Sequence, residues 1–280
     1  MSTWNDALPP PYRRIGAGGW LRTALRGSAM AVVTFGGLGL HLLLRLVERP
    51  LFGLRRPVTS RLVRAVCRAD LAILGLRRKV VGRPMAGHGA IVANHASWID
   101  IFALNACDLV YFVAKTEVRG WAGIGWLARA TGTVFINRDG REAAAQKALL
   151  EARLDAGHRL LFFPEGTSTD GLRVLPFKTT LFAAFFSPNL RECCAIQPVT
   201  VVYTAPAGED PAFYGWWGEM DFAGHLVQML AARRHGSVEV VFHDPLPVAA
   251  FADRKALARA AEHSVRSAMP GSDSRACGPR

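Results

Sequence analysis

Asn94-His95-Ala96-Ser97-Trp98-Ile99-Asp100 directly follows Ala90-Ile91-Val92-Ala93, a short apolar run that reads as a buried strand. A polar cluster at the end of such a strand is where α/β proteins tend to place chemistry. Histidine is the side chain whose unperturbed pKa lies near neutrality, so His95 can accept a proton at working pH. A nearby carboxylate can hold the other ring nitrogen and stabilise the imidazolium, and Asp100 is the candidate. Five residues is too long a gap for one face of a straight helix, where neighbours lie at i+3 and i+4. The pair meets if His95 occupies a strand-to-helix turn and Asp100 lies one turn into the helix.

Downstream and upstream of this stretch, β-forming runs alternate with helical ones, which predicts an α/β domain with a mixed sheet flanked by helices. The expected strands are Lys79–Gly82, Ala90–Ala93, Leu109–Ala114, Thr133–Ile136, Leu160–Phe163, Ile196–Val202 and Val238–Phe242. Helices are expected over Trp121–Ala130 and Glu142–Ala156, the second stopped by Gly157. The division that follows is a basic N-terminal unit over residues 1–78, a catalytic body over 79–266 and a disordered tail over 267–280.

Charge supports treating the N-terminal part separately. Residues 1–84 hold 15 Lys+Arg against 3 Asp+Glu and so carry the whole +12 of the chain, while residues 85–280 hold 19 of each. Basic residues interleaved with long apolar runs suit an anionic membrane surface and argue against nucleic acid as a partner. Residues 1–16, with Pro9-Pro10-Pro11, read as a loose lead-in. Gly27–Leu44 carries no formal charge. As a helix it would be roughly 27 Å long, just short of a hydrocarbon core of about 30 Å. Arginines flank it on both sides, which argues against a simple crossing; a helix dipping into one leaflet is the expectation, a true span the alternative. Pro50 and Pro57 should break the chain, after which Thr59 or Ser60 can cap a second helix to about Gly75. Arg61, Arg64 and Arg68 share a face of that helix, giving either an interfacial basic amphipathic helix or an ordinary packed surface helix.

Five cysteines without Cys-x-x-Cys spacing suggest neither a zinc site nor a disulfide framework. His225, His235, His243 and His263 lack ligand spacing, so no metal is implied. Ser97 lies outside any Gly-x-Ser-x-Gly elbow and only two residues from the base it would need, so a Ser-His-Asp hydrolase is a poor fit. It is better cast as a helix cap, and Trp98 as packing. The aromatic stretch Phe213–Met220, with Trp216-Trp217, suits an acyl channel, a membrane contact or plain core packing.

Four expected strands end in a chemically capable residue: His95, Lys115, Arg138 and Glu165. In an open sheet such ends can converge on one crevice. Asn94-His95-x4-Asp100, Phe135-Ile136-Asn137-Arg138, Phe163-Pro164-Glu165-Gly166-Thr167 and Pro198-Val199, in that order over residues 79–202, resemble the four motifs of glycerolipid acyltransferases, the lysophosphatidic acid acyltransferase-like proteins. The N-terminal helix pair resembles the membrane anchor of their bacterial members.

That resemblance implies an O-acyltransferase in which His95 is the general base and Asp100 its partner, with Asn94, Ser97 and Pro198 supporting the motifs. It implies a lysolipid acceptor, acyl carrier protein or coenzyme A thioester as donor, no separate cofactor, and a bacterial inner-membrane location facing the cytosol. Lys115 and Arg138 would then lie against an acceptor phosphate, and Glu165, Gly166 and Thr167 would bind acceptor, with backbone N–H groups at Gly166 and Thr167 available as donors. The default acceptor is 1-acylglycerol-3-phosphate. One departure matters: many lysophosphatidate-specific members carry arginine after Glu-Gly-Thr, where this chain has Ser168. Arg173 or Lys178 would have to substitute, and a zwitterionic acceptor such as lyso-ornithine lipid becomes the alternative. A non-catalytic lipid-binding protein of the same fold is the reading from another class.

Overall fold

The computed structural model describes residues 4–121, 123–137 and 143–271. Two helices, α1 (Ala17–Phe52) and α2 (Thr59–Leu74), precede a sheet of β1 (Arg77–Val81), β2 (Gly89–Ala93), β3 (Tyr111–Lys115), β4 (Val134–Ile136), β5 (Leu160–Phe162), β6 (Ala195–Thr204), β7 (Ser237–Phe242) and β8 (Leu246–Pro247). Interleaved are α3 (Ile99–Cys107), α4 (Ile124–Thr131), α5 (Ala143–Asp155), α6 (Pro188–Arg191), α7 (Phe222–Ala231) and α8 (Arg254–Ser267). Strand order is β1-β7-β6-β2-β5-β3-β4, with β8 on β6; β6 runs antiparallel to β7 and β8, and the other pairs are parallel. This is the mixed sheet expected, and it explains why β2 reads as continuously apolar. A central parallel strand covered on both faces has no polar side to display, and all five β2 residues are buried.

Alternate β2 residues feed two cores. Ile91 and Ala93 join Leu71, Leu74, Leu104 and Val201 beneath α2 and α3, while Ala90 and Val92 join Phe162, Phe182, Leu257 and Val265 on the α8 side. The parallel strands β2, β3, β4 and β5 therefore all end on one edge of the sheet, which is where β2 delivers His95, β3 ends at Lys115 and β5 delivers Glu165. The strand delivering Arg138 is present, but Arg138 itself lies outside the described residues.

The N-terminal region differs from expectation in several places. Helix α1 is twice the expected length, at 36 residues, and passes through Pro50 before stopping at Gly53. Proline is tolerated there because only the final turn remains to be disturbed. Its length and hydropathy suffice to cross a membrane, yet it is fastened to the body along its course. Arg22 donates to Ala231 O (2.8 Å), and Arg26 to Leu230 O (3.0 Å) and Ala232 O (2.6 Å), at the carbonyl end of α7. Thr34 donates to Asp70 of α2 (2.8 Å), and His41 Nε2 lies 2.9 Å from Ala130 O at the end of α4. At Gly37 the Val66 side chain of α2 packs so closely on α1 that a Cβ would sit 2.6 Å from its Cγ2 methyl.

Neither Thr59 nor Ser60 caps α2 through its own side chain. The cap is Glu48, reaching over from α1 to accept the N–H groups of Val58 (2.7 Å) and Thr59 (3.1 Å) and the Thr59 hydroxyl. Nor is the basic face of α2 left open. Arg64 pairs with Asp108 (3.3 Å) and Arg68 donates to Ala106 O (2.9 Å), so two of its three arginines complete the carbonyl end of α3, although Arg61 and Arg68 both remain exposed.

The lead-in is not loose either. Trp4 is buried against Trp217, Trp217 Nε1 donates to Ala7 O (2.9 Å) and the Tyr12 hydroxyl to Asp221 O (3.1 Å). Two aromatic rings outweigh the Pro-rich composition that suggested a free segment. At the other end, α8 runs to Ser267 and Met269 is buried; residues 272–280 of the expected tail lie outside the described residues.

Candidate active site

The chain turns sharply after β2. Asn94 fixes that turn: its amide donates to Val201 O (2.9 Å) and accepts from Val201 N–H (2.8 Å), clamping the end of β2 to β6. Asp100 then sits in the first turn of α3, fully buried, and its Oδ2 lies 2.7 Å from His95 Nδ1. The same oxygen accepts the N–H groups of Ala96 (2.9 Å) and Ser97 (3.0 Å). So the five-residue spacing works because the carboxylate bridges back across the turn and caps α3 from within. This displaces Ser97 from the capping role expected of it: its hydroxyl is buried with no partner among the described residues.

With Nδ1 engaged by Asp100, Nε2 is the ring nitrogen left for a substrate. The imidazole lies flat on Phe163, centroids 4.0 Å apart and planes at 11°, and Phe163 stacks in turn on Phe112. His95 keeps 21% of its side-chain surface accessible. A largely covered, oriented imidazole held by a buried carboxylate can act as a general base.

The Glu-Gly-Thr turn after β5 abuts this pair. Glu165 Oε1 accepts the His95 N–H and Oε2 the Leu175 N–H, both at 2.7 Å. Burial pushes its pKa up to about 8, with the Asp100 charge adding to the rise and the two N–H donors opposing it. Gly166 has φ +72°, a left-handed conformation that glycine adopts without strain. Its N–H closes the turn onto Phe163 O (3.0 Å). That bond removes Gly166 from the backbone donors expected to face acceptor. The Lys178 ammonium lies beside Gly166, so this cation is brought to the turn as expected, and the Lys178 backbone N–H donates to Pro164 O (2.9 Å). Thr167 follows Gly166 at partial exposure, and Ser168 and Thr169 are buried.

Arg173 is differently placed. Its guanidinium meets both oxygens of buried Asp170, at 2.8 and 3.2 Å, and covers the Trp4 ring at 5.1 Å. Lys115 closes β3 at partial burial, two strands from β2 and so about 10 Å away across the sheet. Pro198 lies in β6 beside Val92 of β2, and its carbonyl accepts the His243 N–H (3.0 Å).

The aromatic stretch proves to be backing for the motif turn. Trp216 N–H donates to Ala96 O (2.8 Å), and Trp98 Nε1 donates to Nδ1 of buried His225 (2.9 Å). Burial holds the His225 imidazole down near 4, in the neutral form that can accept this bond. One site residue escaped the sequence reading altogether. Tyr203 of β6 donates its hydroxyl to Asp100 Oδ1 at 2.7 Å. Its hydroxyl stood out little in the sequence, because β6 also carries Thr200 and Thr204 beyond Pro198.

Comparison with known proteins agrees with this geometry. A family model described as Acyltransferase matches residues 77–202. A lyso-ornithine lipid O-acyltransferase of Rhodobacter capsulatus is 62% identical over 266 residues, covering 95% of this chain and 96% of that protein. Another protein of that name, from Pseudomonas aeruginosa, is 35% identical over 90% of this chain and 95% of its own. A 1-acyl-sn-glycerol-3-phosphate acyltransferase of Neisseria gonorrhoeae is 41% identical over a shorter stretch, 44% of this chain and 49% of that one. The solved 1-acyl-sn-glycerophosphate (LPA) acyltransferase PlsC of Thermotoga maritima shares the fold, with TM-score 0.64 at 20% identity over 93% of this chain and 100% of its own. The chain is an acyltransferase and belongs to the lysophosphatidic acid acyltransferase-like family.

Proposed function

We propose that this acyltransferase moves a fatty acyl group from a thioester of acyl carrier protein or coenzyme A onto the free hydroxyl of lyso-ornithine lipid. The observation that carries this choice over 1-acylglycerol-3-phosphate is the loop after Glu165-Gly166-Thr167. Ser168 stands where a phosphate-gripping arginine is common, and the candidate replacement, Arg173, is already matched by buried Asp170. A neutral Asp–Arg pair suits a zwitterionic headgroup better than a phosphate dianion. The Rhodobacter capsulatus and Pseudomonas aeruginosa relatives, which match this chain in sequence over 90% or more of its length, carry the lyso-ornithine lipid name.

In this reading His95 Nε2 takes the acceptor hydroxyl proton as its oxygen attacks the thioester carbonyl. Asp100 stabilises the imidazolium that results. Collapse of the tetrahedral intermediate breaks the C–S bond, and the imidazolium returns the proton to the departing thiolate. No acyl-enzyme is required, because the thioester is already activated.

The enzyme sits on one leaflet of the bacterial inner membrane with its site open to the cytosol. Fastening of α1 to α2, α4 and α7 supports this over a span, since a crossing would strip those contacts from both partners. Exposed Trp20, Val32, Leu43 and Leu46 would enter the lipid. The test offers purified protein a labelled acyl thioester with both lysolipids in competition. Acylated ornithine lipid with lysophosphatidate left untouched is the expected result; the reverse preference overturns the acceptor. Thiol release by His95→Ala at the wild-type rate would overturn the chemistry.

A further inference from the structure

Asp100 receives four hydrogen bonds, and three come from its own turn: His95, Ala96 and Ser97 all reach Oδ2. The fourth arrives from across the sheet, where the Tyr203 hydroxyl meets Oδ1 at 2.7 Å. Tyr203 is buried on β6 and packs at a tilt against Tyr214, ring centroids 5.3 Å apart. Burial, reinforced by the Asp100 charge, raises its pKa well above the usual value, so the phenol remains a donor throughout the working range.

We propose that Tyr203 is a positioning residue which, through Asp100, sets how readily His95 takes up a proton. The proposal rests on His95 being the base. A donor on Oδ1 has two effects. It fixes the carboxylate plane so that Oδ2 faces the imidazole, and it draws charge away from Oδ2. Without it the carboxylate stabilises the imidazolium more strongly. His95 would then hold its proton to higher pH than in the unaltered protein and be less available as a base near neutrality.

Other titratable groups surround the pair. Glu165 faces it from the turn after β5, with Arg266 of α8 acting on Glu165 in turn. Tyr214 and, behind it, His235 face Tyr203 (Tyr214 hydroxyl to His235 Nδ1, 3.2 Å), and His225 of α7 lies behind Trp98. Burial keeps Tyr214 protonated up to about 12 and both histidines neutral down to about 4, so of these Glu165, at about 8, is the group that titrates inside the pH range of the assay below.

The test measures kcat/KM from pH 5 to 9 for the full chain in detergent micelles, with an acyl-CoA and lyso-ornithine lipid. Tyr203→Phe should move the acidic limb up by about 0.5–1 pH unit, slow the reaction roughly 3–10-fold at neutrality and recover rate above the limb. The same displacement should appear in a Glu165→Gln background, which removes the competing titration. A uniform fall in rate with the limb unmoved would make Tyr203 a spacer and overturn the proposal, as would a limb moved downward or an unchanged profile. Should Tyr203→Phe fail to fold, 3-fluorotyrosine at the same position keeps the shape and donates more strongly. It is expected to move the limb down, and an unmoved limb there overturns the proposal equally. Activity in His95→Ala would defeat the parent reading. An inactive His95→Ala beside an unshifted Tyr203→Phe would defeat only this one.

Discussion

Glu165 holds His95 by its backbone: one carboxyl oxygen accepts the His95 N–H at 2.7 Å while the other accepts the Leu175 N–H at the same distance. Two motifs 70 residues apart in sequence are thereby locked into one turn pair. The locking carboxyl titrates high. Because its pKa is raised from 4.5 to about 8, the folded state binds more protons than the unfolded state between those values, and stability should fall as pH rises across that window. Thermal melting from pH 4.5 to 9 checks the slope. Glu165→Gln should flatten it while costing about 1–3 kcal/mol, since an amide can serve only one of the two N–H donors. An unchanged slope in the variant would show that the titration belongs to another group.

The His95–Asp100 pair should behave as a unit in catalysis. His95→Ala is expected to lower kcat/KM by about 10³ or more, and Asp100→Asn by about 10²–10⁴. The double variant should be little worse than His95→Ala alone, because Asp100 acts through the ring. Strictly additive losses would mean that the carboxylate has a separate role.

Ser168→Arg tests the headgroup assignment from the protein side. An added cation beyond the Glu-Gly-Thr turn should raise activity with 1-acylglycerol-3-phosphate relative to lyso-ornithine lipid, read as the ratio of the two kcat/KM values. Asp170→Asn, which frees the Arg173 charge, should push the ratio the same way. Ratios that stay fixed in both variants would place headgroup recognition elsewhere.

Gly171 backs the turn that carries His95, at φ +77°, and a Cβ there would stand 3.0 Å from the Ala96 side chain. Gly171→Ala is expected to cost about 1–2 kcal/mol of stability from the left-handed backbone alone. It should also slow the reaction by pressing on the residue next to His95. Assay and melting curve together separate the two effects.

Much of the site was legible in the sequence because its parts are local. A strand ending in Asn-His, and a carboxylate that must lie one turn into the next helix, follow from period and spacing. So does the end of α2 at about Gly75, which the structure holds in the left-handed conformation. What was missed comes from partners distant in sequence. Glu48 caps α2 from another helix, Tyr203 reaches Asp100 from 103 residues away, and Arg64 and Arg68 finish the end of α3. Read alone, each is an unremarkable polar residue, and only the packing of the sheet and helices gives it a partner. Arg173, the candidate substitute cation, is different: its partner Asp170 lies only three residues before it, and it is the turn between them that brings the two together.

Glu48 offers a check on that long-range capping. Glu48→Ala removes three acceptor contacts from the first turn of α2 and should cost about 2 kcal/mol, with a fall of several degrees in melting temperature. Thr59→Val should cost less, since it deletes only one of the three. A melting curve unmoved by Glu48→Ala would show that α2 needs no help from α1.

Because α1 completes the ends of α2, α4 and α7, it cannot be treated as a detachable leash. Trimming the chain ahead of α2 to obtain a water-friendly fragment would bare the carbonyls now met by Arg22, Arg26 and His41, and would leave Asp70 facing a gap. The greasy outer surface and the catalytic fold are one object, so whoever purifies this protein must carry a lipid substitute along with it.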